Sequence, residues 1–267
     1  MNRNAGKTVV VTGGASGIGK ACCAVLSRQG WKVIVTDKDL DAAAAVASSI
    51  GGHAMHLDVA DESAIQATAR ECERMHGPVL GLVNSAGILQ PPLPPENLPT
   101  EMLDRVMAIN FRGTYLTSVA FGTAMAARGS GSIVAIGSMA ALRSVPLHAY
   151  AASKAAVVQM VQCLAAEWGR SGVRINAVSP GYIKTPALEA QIAKGLRNRE
   201  SLTEAAAMGR MIDPEEIAEV VAFLLSDRAS AVTGINMPVD AGWLVGAHAG
   251  AYGGVPPARK RTDPVAG

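Results

Sequence analysis

The sequence is poor in aromatic and charged residues, and it has no long hydrophobic run. Aromatic side chains make up 4% and charged side chains 17% of the 267 residues, whereas apolar residues make up 49%. This composition excludes a chain that is disordered over most of its length, because enough apolar surface is present to form a core. The apolar run near the N-terminus stops at glycines and is too short for a secretion signal or a membrane span. We therefore expect a soluble, cytoplasmic protein with no membrane partner.

An excess of one charge sign and a spaced cysteine motif are also missing. The 24 basic and 22 acidic residues are scattered and give a net charge of +2, so the sequence does not indicate a nucleic-acid partner. The four cysteines lack the paired spacings of zinc sites, and we predict no metal site. We expect them to be reduced core residues, although the adjacent Cys22 and Cys23 leave a redox pair open. The other two are Cys72 and Cys163.

Short β-branched runs alternate with longer alanine-rich segments along the chain. This alternation predicts parallel strands joined by crossover helices. Most of the runs are apolar on both faces, as is typical of a sheet covered by helices on each side. We expect an α/β fold with a doubly wound (Rossmann) parallel sheet of about seven strands, forming a single domain over residues 1–242. The runs are KTVVVT, WKVIVTD, HAMHLDV, VLGLVN, GSIVAIGS, VRINAVSP and INMPVD.

Three segments interrupt the alternation. Residues 89–99 contain five prolines and predict a loop, after which Thr100 should cap a helix with Glu101 in its first turn; a proline-rich ligand for a partner is the alternative. Residues 185–211 are long for a connection and predict a helical lid. Residues 243–267 are rich in glycine and proline and predict a C-terminal arm.

The segment VVVTGGASGIGKACC places a glycine-rich turn between a predicted strand and a helix that starts near Ser16. Gly13, Gly17 and Gly19 would let the backbone approach a pyrophosphate at the positive end of that helix. An ordinary tight turn is the alternative. The second strand ends at Asp37, where a carboxylate can accept hydrogen bonds from the adenosine ribose and repel a 2′-phosphate. We therefore expect NAD rather than NADP.

Two further strands end in residues that suit a dinucleotide. The triplet LDV closes the third run and the tetrad NSAG closes the fourth, and ligands bind at the carboxyl ends of strands in open α/β sheets. Asp58 can meet the adenine amine, and small Ala86 and Gly87 permit close approach of the cofactor. From these segments and the glycine turn, the predicted cofactor-binding residues also include Ile18, Val59 and Asn84.

The stretch YAASK places Tyr150 four residues before Lys154 in a predicted helix. Residues at this spacing share a helix face, and an ammonium group near a phenol is expected to lower the pKa of the phenol. Without context the same spacing fits an ordinary helix surface. Ser138, at the end of the fifth strand, should face the same cleft and can donate a hydrogen bond to a substrate oxygen.

Taken together, these motifs resemble the classical short-chain dehydrogenase/reductase family. The matching pieces occur in the order and spacing of the family from Lys7 to about Gly242, and they are TGGASGIG, Asp58, NSAG, Asn110 in INFRG, Ser138, YAASK and SPGYIKT. One departure is Ser85, where the family often has a second asparagine; it weakens structural support and leaves catalysis untouched.

The resemblance implies an oxidoreductase that interconverts a secondary alcohol and a ketone. It implies that Tyr150 is the acid/base, that Ser138 orients the reacting oxygen, and that Lys154 binds the nicotinamide ribose. Asn110 would hold a water that links Lys154 to solvent. In SPGYIKT, Pro180 and Gly181 would line the nicotinamide, while the Ile183 backbone N–H and Thr185 would bond its carboxamide.

The resemblance also implies a homotetramer, in which the alanine-rich helix around YAASK packs against a second copy. The arm carries Trp243, Leu244, Val245 and Tyr252 and is expected to dock at a subunit interface. We expect the small-molecule substrate pocket to be lined by residues 139–148, the Tyr182 region and the lid. The lid residues Lys194, Arg197 and Arg199 are expected on a solvated face. An NADPH-dependent 3-ketoacyl reductase and a non-catalytic dinucleotide-binding protein are the alternatives.

Overall fold

A seven-stranded parallel sheet forms the centre of the molecule. The computed structural model describes residues 6–195, 197–246, 249 and 254–256, and in this part of the chain the strand order is β3-β2-β1-β4-β5-β6-β7. All six neighbouring pairs are parallel, so the predicted doubly wound α/β sheet is confirmed. The strands are β1 (Thr8–Thr12), β2 (Lys32–Asp37), β3 (His53–His56), β4 (Val79–Asn84), β5 (Gly131–Ile136), β6 (Val173–Pro180) and β7 (Asn236–Val239).

Helices cover both faces of the sheet. Helices α1, α2 and α9 pack on one face, and α3, α5 and α6 pack on the other. The helices of the described residues are α1 (Gly17–Arg28), α2 (Leu40–Ile50), α3 (Glu62–His76), α4 (Thr100–Val106), α5 (Thr114–Arg128), α6 (His148–Trp168), α7 (Pro186–Ala193), α8 (Arg199–Glu204), α9 (Pro214–Leu225) and α10 (Trp243–Gly246). None of them is long and apolar enough to cross a membrane.

The central strands are buried because both of their faces contribute to a core. Successive side chains of a strand point to opposite faces, and in β1 the side chains of Val9 and Val11 join the cluster under α1 while Val10 joins the cluster under α5 and α6. Edge strand β3 differs, since His53 and His56 are exposed. The apolar runs of the central strands thus form one core layer on each side of the sheet.

Three boundaries and one burial differ from the sequence predictions. Pro99 precedes the first turn of α4, and no side chain caps that helix; Thr100 is not the cap, because the extended backbone of Pro99 already makes Thr100 the first helical residue. Strand β3 ends before the LDV triplet and β5 ends two residues before Ser138. Cys163 is exposed, unlike the buried Cys22, Cys23 and Cys72, because it lies on the face of α6 that points away from the sheet.

A π-helical segment, Met107–Gly113, joins α4 to α5. Such segments widen a helix by one residue per turn and often occur at functional sites. Here the segment places the Asn110 side chain in the interior, where it is fully buried. Gly113 allows this, because a Cβ atom at that position would lie 2.7 Å from the Val59 carbonyl oxygen.

The predicted lid leaves and rejoins the fold at one place. Ile183 and Ile212 form a parallel bridge, in which the Ile212 N–H donates to the Tyr182 carbonyl at 3.0 Å and the Lys184 N–H donates to the Ile212 carbonyl at 2.9 Å. Helices α7 and α8 lie between these anchors. The predicted arm begins with α10; Tyr252 lies outside the described residues.

Candidate active site

Three elements bring Asn110, Tyr150 and Lys154 together beside Gly87. The Lys154 ammonium is buried, donates to the Ile136 carbonyl at 2.7 Å, and lies 5.8 Å from the centre of the Tyr150 ring. A Cβ atom at Gly87 would lie 3.3 Å from Asn110 Oδ1 and 3.6 Å from Lys154 Nζ. The predicted catalytic residues therefore meet immediately behind the loop that follows β4.

The Asn110 side chain ties that loop to the catalytic helix α6. Its Oδ1 accepts from the Ile88 N–H at 2.8 Å. Its Nδ2 donates to the Ile88 carbonyl at 2.9 Å and to Ser153 Oγ at 3.1 Å. Because both ends of the amide are bonded in the interior, Asn110 holds two elements of the site in register.

Ser138 and Tyr150 face each other across the end of β5. Ser138 caps a short 3₁₀ turn by accepting from the Ala140 N–H at 3.1 Å, and it is hydrogen-bonded to Tyr150. Both side chains line the same cavity. This arrangement can hold a carbonyl or hydroxyl oxygen between two hydroxyl groups.

Burial dominates the protonation of the pair on α6. Removal from water raises the pKa of Tyr150, and the hydrogen bond with Ser138 only partly opposes this change. Burial also lowers the pKa of Lys154 from 10.5 to about 8. The expected lowering of the phenol pKa is not found: the pKa of Tyr150 is raised, because burial disfavours the charged phenolate.

A cavity of about 380 Å³ lies over the carboxyl ends of β1, β2 and β4. Asp37 stands at its rim, where its carboxylate accepts from the Ala15 N–H at 3.1 Å and from the Asp39 N–H at 3.2 Å. Lys38 also lines it. Of the predicted cofactor-binding residues, those that line this cavity are Gly13, Ser16, Gly17, Ile18, Asp37, Asp58, Val59, Ala86, Gly87 and Thr185.

The glycine turn fits a dinucleotide. Gly13 has φ +64°, and a Cβ atom there would lie 2.8 Å from the Ala86 backbone. Gly17 has φ +51°, and a Cβ atom there would meet only Thr185 Cγ2, at 3.9 Å. A side chain at Gly17 would therefore project into open space at the start of α1, the place where a helix terminus favours a phosphate.

Asn84 and Gly19 do not line this cavity. Asn84 is buried, donates to Ser118 Oγ at 2.9 Å, and accepts from Thr117 Oγ1 at 2.6 Å, so its side chain binds β4 to α5. A Cβ atom at Gly19 would lie 2.1 Å from the Gly13 carbonyl oxygen. The structure thus places these two residues in the packing that supports the cavity.

A second cavity, of about 500 Å³, adjoins the first and shares Ile18, Leu89 and Thr185 with it. We call it the catalytic cavity. The predicted catalytic and cofactor-binding residues that line it are Ile18, Ser138, Tyr150, Pro180, Gly181, Ile183 and Thr185. Residues 139, 140, 145–147 and Tyr182 of the predicted substrate pocket line it as well. Three polar residues also line it, namely Gln90, Gln191 and Arg197. Sequence reasoning missed Gln90; it placed the lid at this pocket without singling out Gln191, and it expected Arg197 on a solvated face. No motif marks them, because they lie in the proline loop and the lid.

The chain is similar to known dehydrogenases over most of its length. A family model described as Enoyl-(Acyl carrier protein) reductase matches residues 13–244. Galactitol 2-dehydrogenase from Rhizobium johnstonii is 40% identical over 248 residues, which cover 89% of this chain and 95% of that protein. This chain belongs to the short-chain dehydrogenase/reductase family.

Two other comparisons agree on the extent of the match. D-threitol dehydrogenase from Mycolicibacterium smegmatis is 37% identical over 246 residues, covering 90% of this chain and 94% of that protein. A solved structure described as ribose-5-phosphate isomerase from Brucella melitensis 16M is 48% identical with a TM-score of 0.93, and the match covers 95% of this chain and 98% of that one. The predicted family is confirmed, and as a short-chain dehydrogenase/reductase the chain is an alcohol oxidoreductase.

Proposed function

We propose that the protein is an NAD-dependent dehydrogenase that interconverts a secondary alcohol of a small polyhydroxy compound and the corresponding ketone. The observation that carries this proposal is the position of Ser138 and Tyr150 on the wall of the catalytic cavity. That cavity adjoins the cavity of about 380 Å³ over β1, β2 and β4, which we call the dinucleotide cleft. The polyols named for the galactitol and threitol dehydrogenases support the substrate class.

In the proposed reaction, Tyr150 moves the proton of the reacting oxygen. Ser138 holds this oxygen beside the phenol, and the positive charge of Lys154 stabilises the phenolate that forms when Tyr150 gives up its proton. Nicotinamide, when bound, supplies or accepts the hydride. Asn110 keeps the loop after β4 and helix α6 in the positions that this transfer needs.

The raised pKa of Tyr150 makes alcohol oxidation and ketone reduction depend on pH in different ways. Burial favours the protonated phenol, which is the form that donates a proton to a ketone. Oxidation of an alcohol requires the phenolate. Because the pKa of the phenol is raised above its ordinary value of 10, we expect the oxidation rate to rise with pH above neutrality, and we expect the reduction rate to fall only once the phenol itself loses its proton.

Asp37 supports NAD as the cofactor. Its carboxylate is oriented at the cleft by two backbone N–H groups, and a negative charge there repels a 2′-phosphate. Lys38 lines the same cleft and is the feature that favours the alternative, NADP.

We also propose that the protein is a cytoplasmic homotetramer. Between Ala152 and Ala166 the face of α6 away from the sheet exposes uncharged side chains, which suit close packing against another helix; the charged Glu167, also exposed, follows directly. The uncharged exposed residues are Ala152, Ala155, Gln159, Gln162, Cys163 and Ala166.

The test is the absorbance of NADH or NADPH at 340 nm with a panel of polyols and other secondary alcohols. Replacing Tyr150 with Phe should lower kcat by about 10² to 10⁴-fold, the usual contribution of general acid/base catalysis, while NADH binding persists. Tyr115→Phe is the matched control, because Tyr115 is exposed on α5. Tyr150→Phe with more than half of the wild-type kcat would refute the role of Tyr150.

The same assay separates this function from an isomerase activity. Conversion of an aldose phosphate to a ketose phosphate causes no net change of oxidation state, so it consumes no dinucleotide. We expect no conversion of ribose 5-phosphate in the absence of NAD and NADP. Rapid conversion that Tyr150→Phe leaves unchanged would contradict the proposed reaction.

A further inference from the structure

The catalytic cavity contains hydrogen-bond donors that have no protein acceptor. No aspartate or glutamate is among the described residues that line it, and Arg197 is the charged one. A polyol presents both donors and acceptors, and dehydrogenases of neutral polyols have no electrostatic need for a cation at this place. The polar character of this cavity is therefore informative about the substrate.

Arg197 has the surroundings of an anion-binding residue. Its Nε donates to Gln191 Oε1 at a long 3.5 Å, and no carboxylate of the described residues forms an ion pair with it. Two residues further along the lid, Arg199 forms an ion pair with Glu189 and lines no part of the cavity. The charge of Arg197 also reaches the cavity wall, since it opposes the rise in the pKa of Tyr182.

Gln90 provides an independent observation. The residue is 4% exposed and lines the catalytic cavity. Its Oε1 accepts from the Tyr150 N–H at 3.0 Å, which fixes the orientation of the amide, because the opposite orientation would turn two donors toward each other. Its Nε2 then has no hydrogen-bond partner among the described residues. Leaving a buried amide N–H without an acceptor costs free energy. The Nε2 atom has almost no accessible surface, so a small displacement of the amide toward the cavity would let an oxygen of a bound ligand remove that cost.

We infer that the substrate carries an anionic oxygen group, a carboxylate or a phosphate, which Arg197 binds while the Gln90 amide donates to a substrate oxygen. This inference rests on the proposed dehydrogenase function. The guanidinium group offers two parallel N–H donors that match the two oxygens of such an anion. The volume of about 500 Å³ accommodates a hydroxy acid or a polyol phosphate.

The experiment compares substrates that differ in charge alone as far as chemistry allows. D-gluconate is paired with D-glucitol, 3-hydroxybutyrate with 2-butanol, and glycerol 3-phosphate with glycerol, so that the first two pairs report on a carboxylate and the third on a phosphate. Each compound is assayed with NAD and NADP for the wild type, for Arg197→Gln and for Arg199→Gln. The last variant is the matched control, because it removes a lid charge whose partner is Glu189.

We expect kcat/KM of the wild type to be higher for the anion of at least one pair. Arg197→Gln should lower that kcat/KM by about 10- to 100-fold, the range that hydrogen bonds to charged groups supply. It should change kcat/KM for the neutral compound, and kcat for either compound, far less, because Tyr150 still transfers the proton. Arg199→Gln should change kcat/KM by no more than about threefold for either the anion or the neutral compound. A further variant, Gln90→Glu, keeps the acceptor for the Tyr150 N–H but places a negative charge beside the ligand. It should therefore lower kcat/KM for the anionic substrate more than for its neutral counterpart.

Two results would overturn the inference and leave the dehydrogenase function standing. One is a wild type that oxidises the neutral members as well as or better than the anions. The other is an Arg197→Gln variant that lowers kcat/KM equally for both members of a pair, which would indicate a structural role for Arg197. Absence of turnover with every compound and both cofactors would refute the dehydrogenase function and this inference together.

Discussion

Replacement of Lys154 by Met should make the protein more stable while it abolishes catalysis. Lys154 is 5% exposed, and burial lowers the pKa of its ammonium group from 10.5 to about 8. At about 1.4 kcal/mol per pH unit, this change corresponds to a penalty of about 3 kcal/mol for the charged form in the folded protein at neutral pH. Met removes the penalty and the hydrogen bond to the Ile136 carbonyl, which contributes about 1 kcal/mol. The expected net gain is about 2 kcal/mol at pH 7.

The pH dependence of this gain follows from the direction of the pKa change. In the folded protein Lys154 loses its proton near pH 8, whereas in the unfolded chain it keeps the proton until about pH 10.5. Between these values the unfolded chain binds more protons, so the wild type becomes more stable as pH rises. The penalty is complete below pH 8. The advantage of Lys154→Met should therefore shrink by about 2 kcal/mol between pH 7 and pH 9.5.

Urea unfolding at pH 7 and pH 9.5 measures both quantities. Lys20→Met is the control, because Lys20 is exposed on α1 and such a surface substitution usually changes stability by less than about 0.5 kcal/mol. NADH production should fall at least about 10²-fold in Lys154→Met if Lys154 acts with Tyr150 in acid/base catalysis. A variant that is less stable than the wild type by the same amount at both pH values would refute the burial argument.

Three further outcomes are expected. Asp37→Ala should narrow the ratio of kcat/KM for NAD to that for NADP, because it removes the repulsion of the 2′-phosphate; a wild type that prefers NADP would contradict this. Residues 185–211 should gain hydrogen-exchange protection when cofactor and substrate bind, as a lid does, while α9 should not; equal protection in both states would argue against a lid. A chain that ends at Gly242 lacks Trp243, whose ring centre lies 5.8 Å from that of Tyr182. This chain should show a raised KM for the substrate, and light scattering should detect a smaller assembly. A chain that ends at Gly246 should keep the wild-type KM; an unchanged KM in both truncations would exclude a role for Trp243.

The parallel pairing of the strands and the edge of the sheet at which the predicted cofactor-binding residues gather followed from the sequence alone. Alternating β-branched and alanine-rich segments specify parallel strands, because such strands need a crossover helix between them. The glycine turn, Asp37 and Asp58 could be placed at one edge of the sheet for the same reason: the carboxyl ends of parallel strands meet there. The local sequence pattern was therefore sufficient to place those residues whose position in the site depends only on their lying at the end of a particular strand.

Only the tertiary structure decided which polar groups line the catalytic cavity, and whether the pKa values of Tyr150 and Lys154 are raised or lowered. Asn84 closes a strand as predicted, yet its amide is bonded within the packing of β4 against α5. Arg197 and Gln90 come from a lid and a loop without any motif, and they meet in one cavity with Tyr150. The phenol pKa depends on how completely distant segments exclude water from it, and desolvation is a property of the assembled structure that spacing along the chain does not encode.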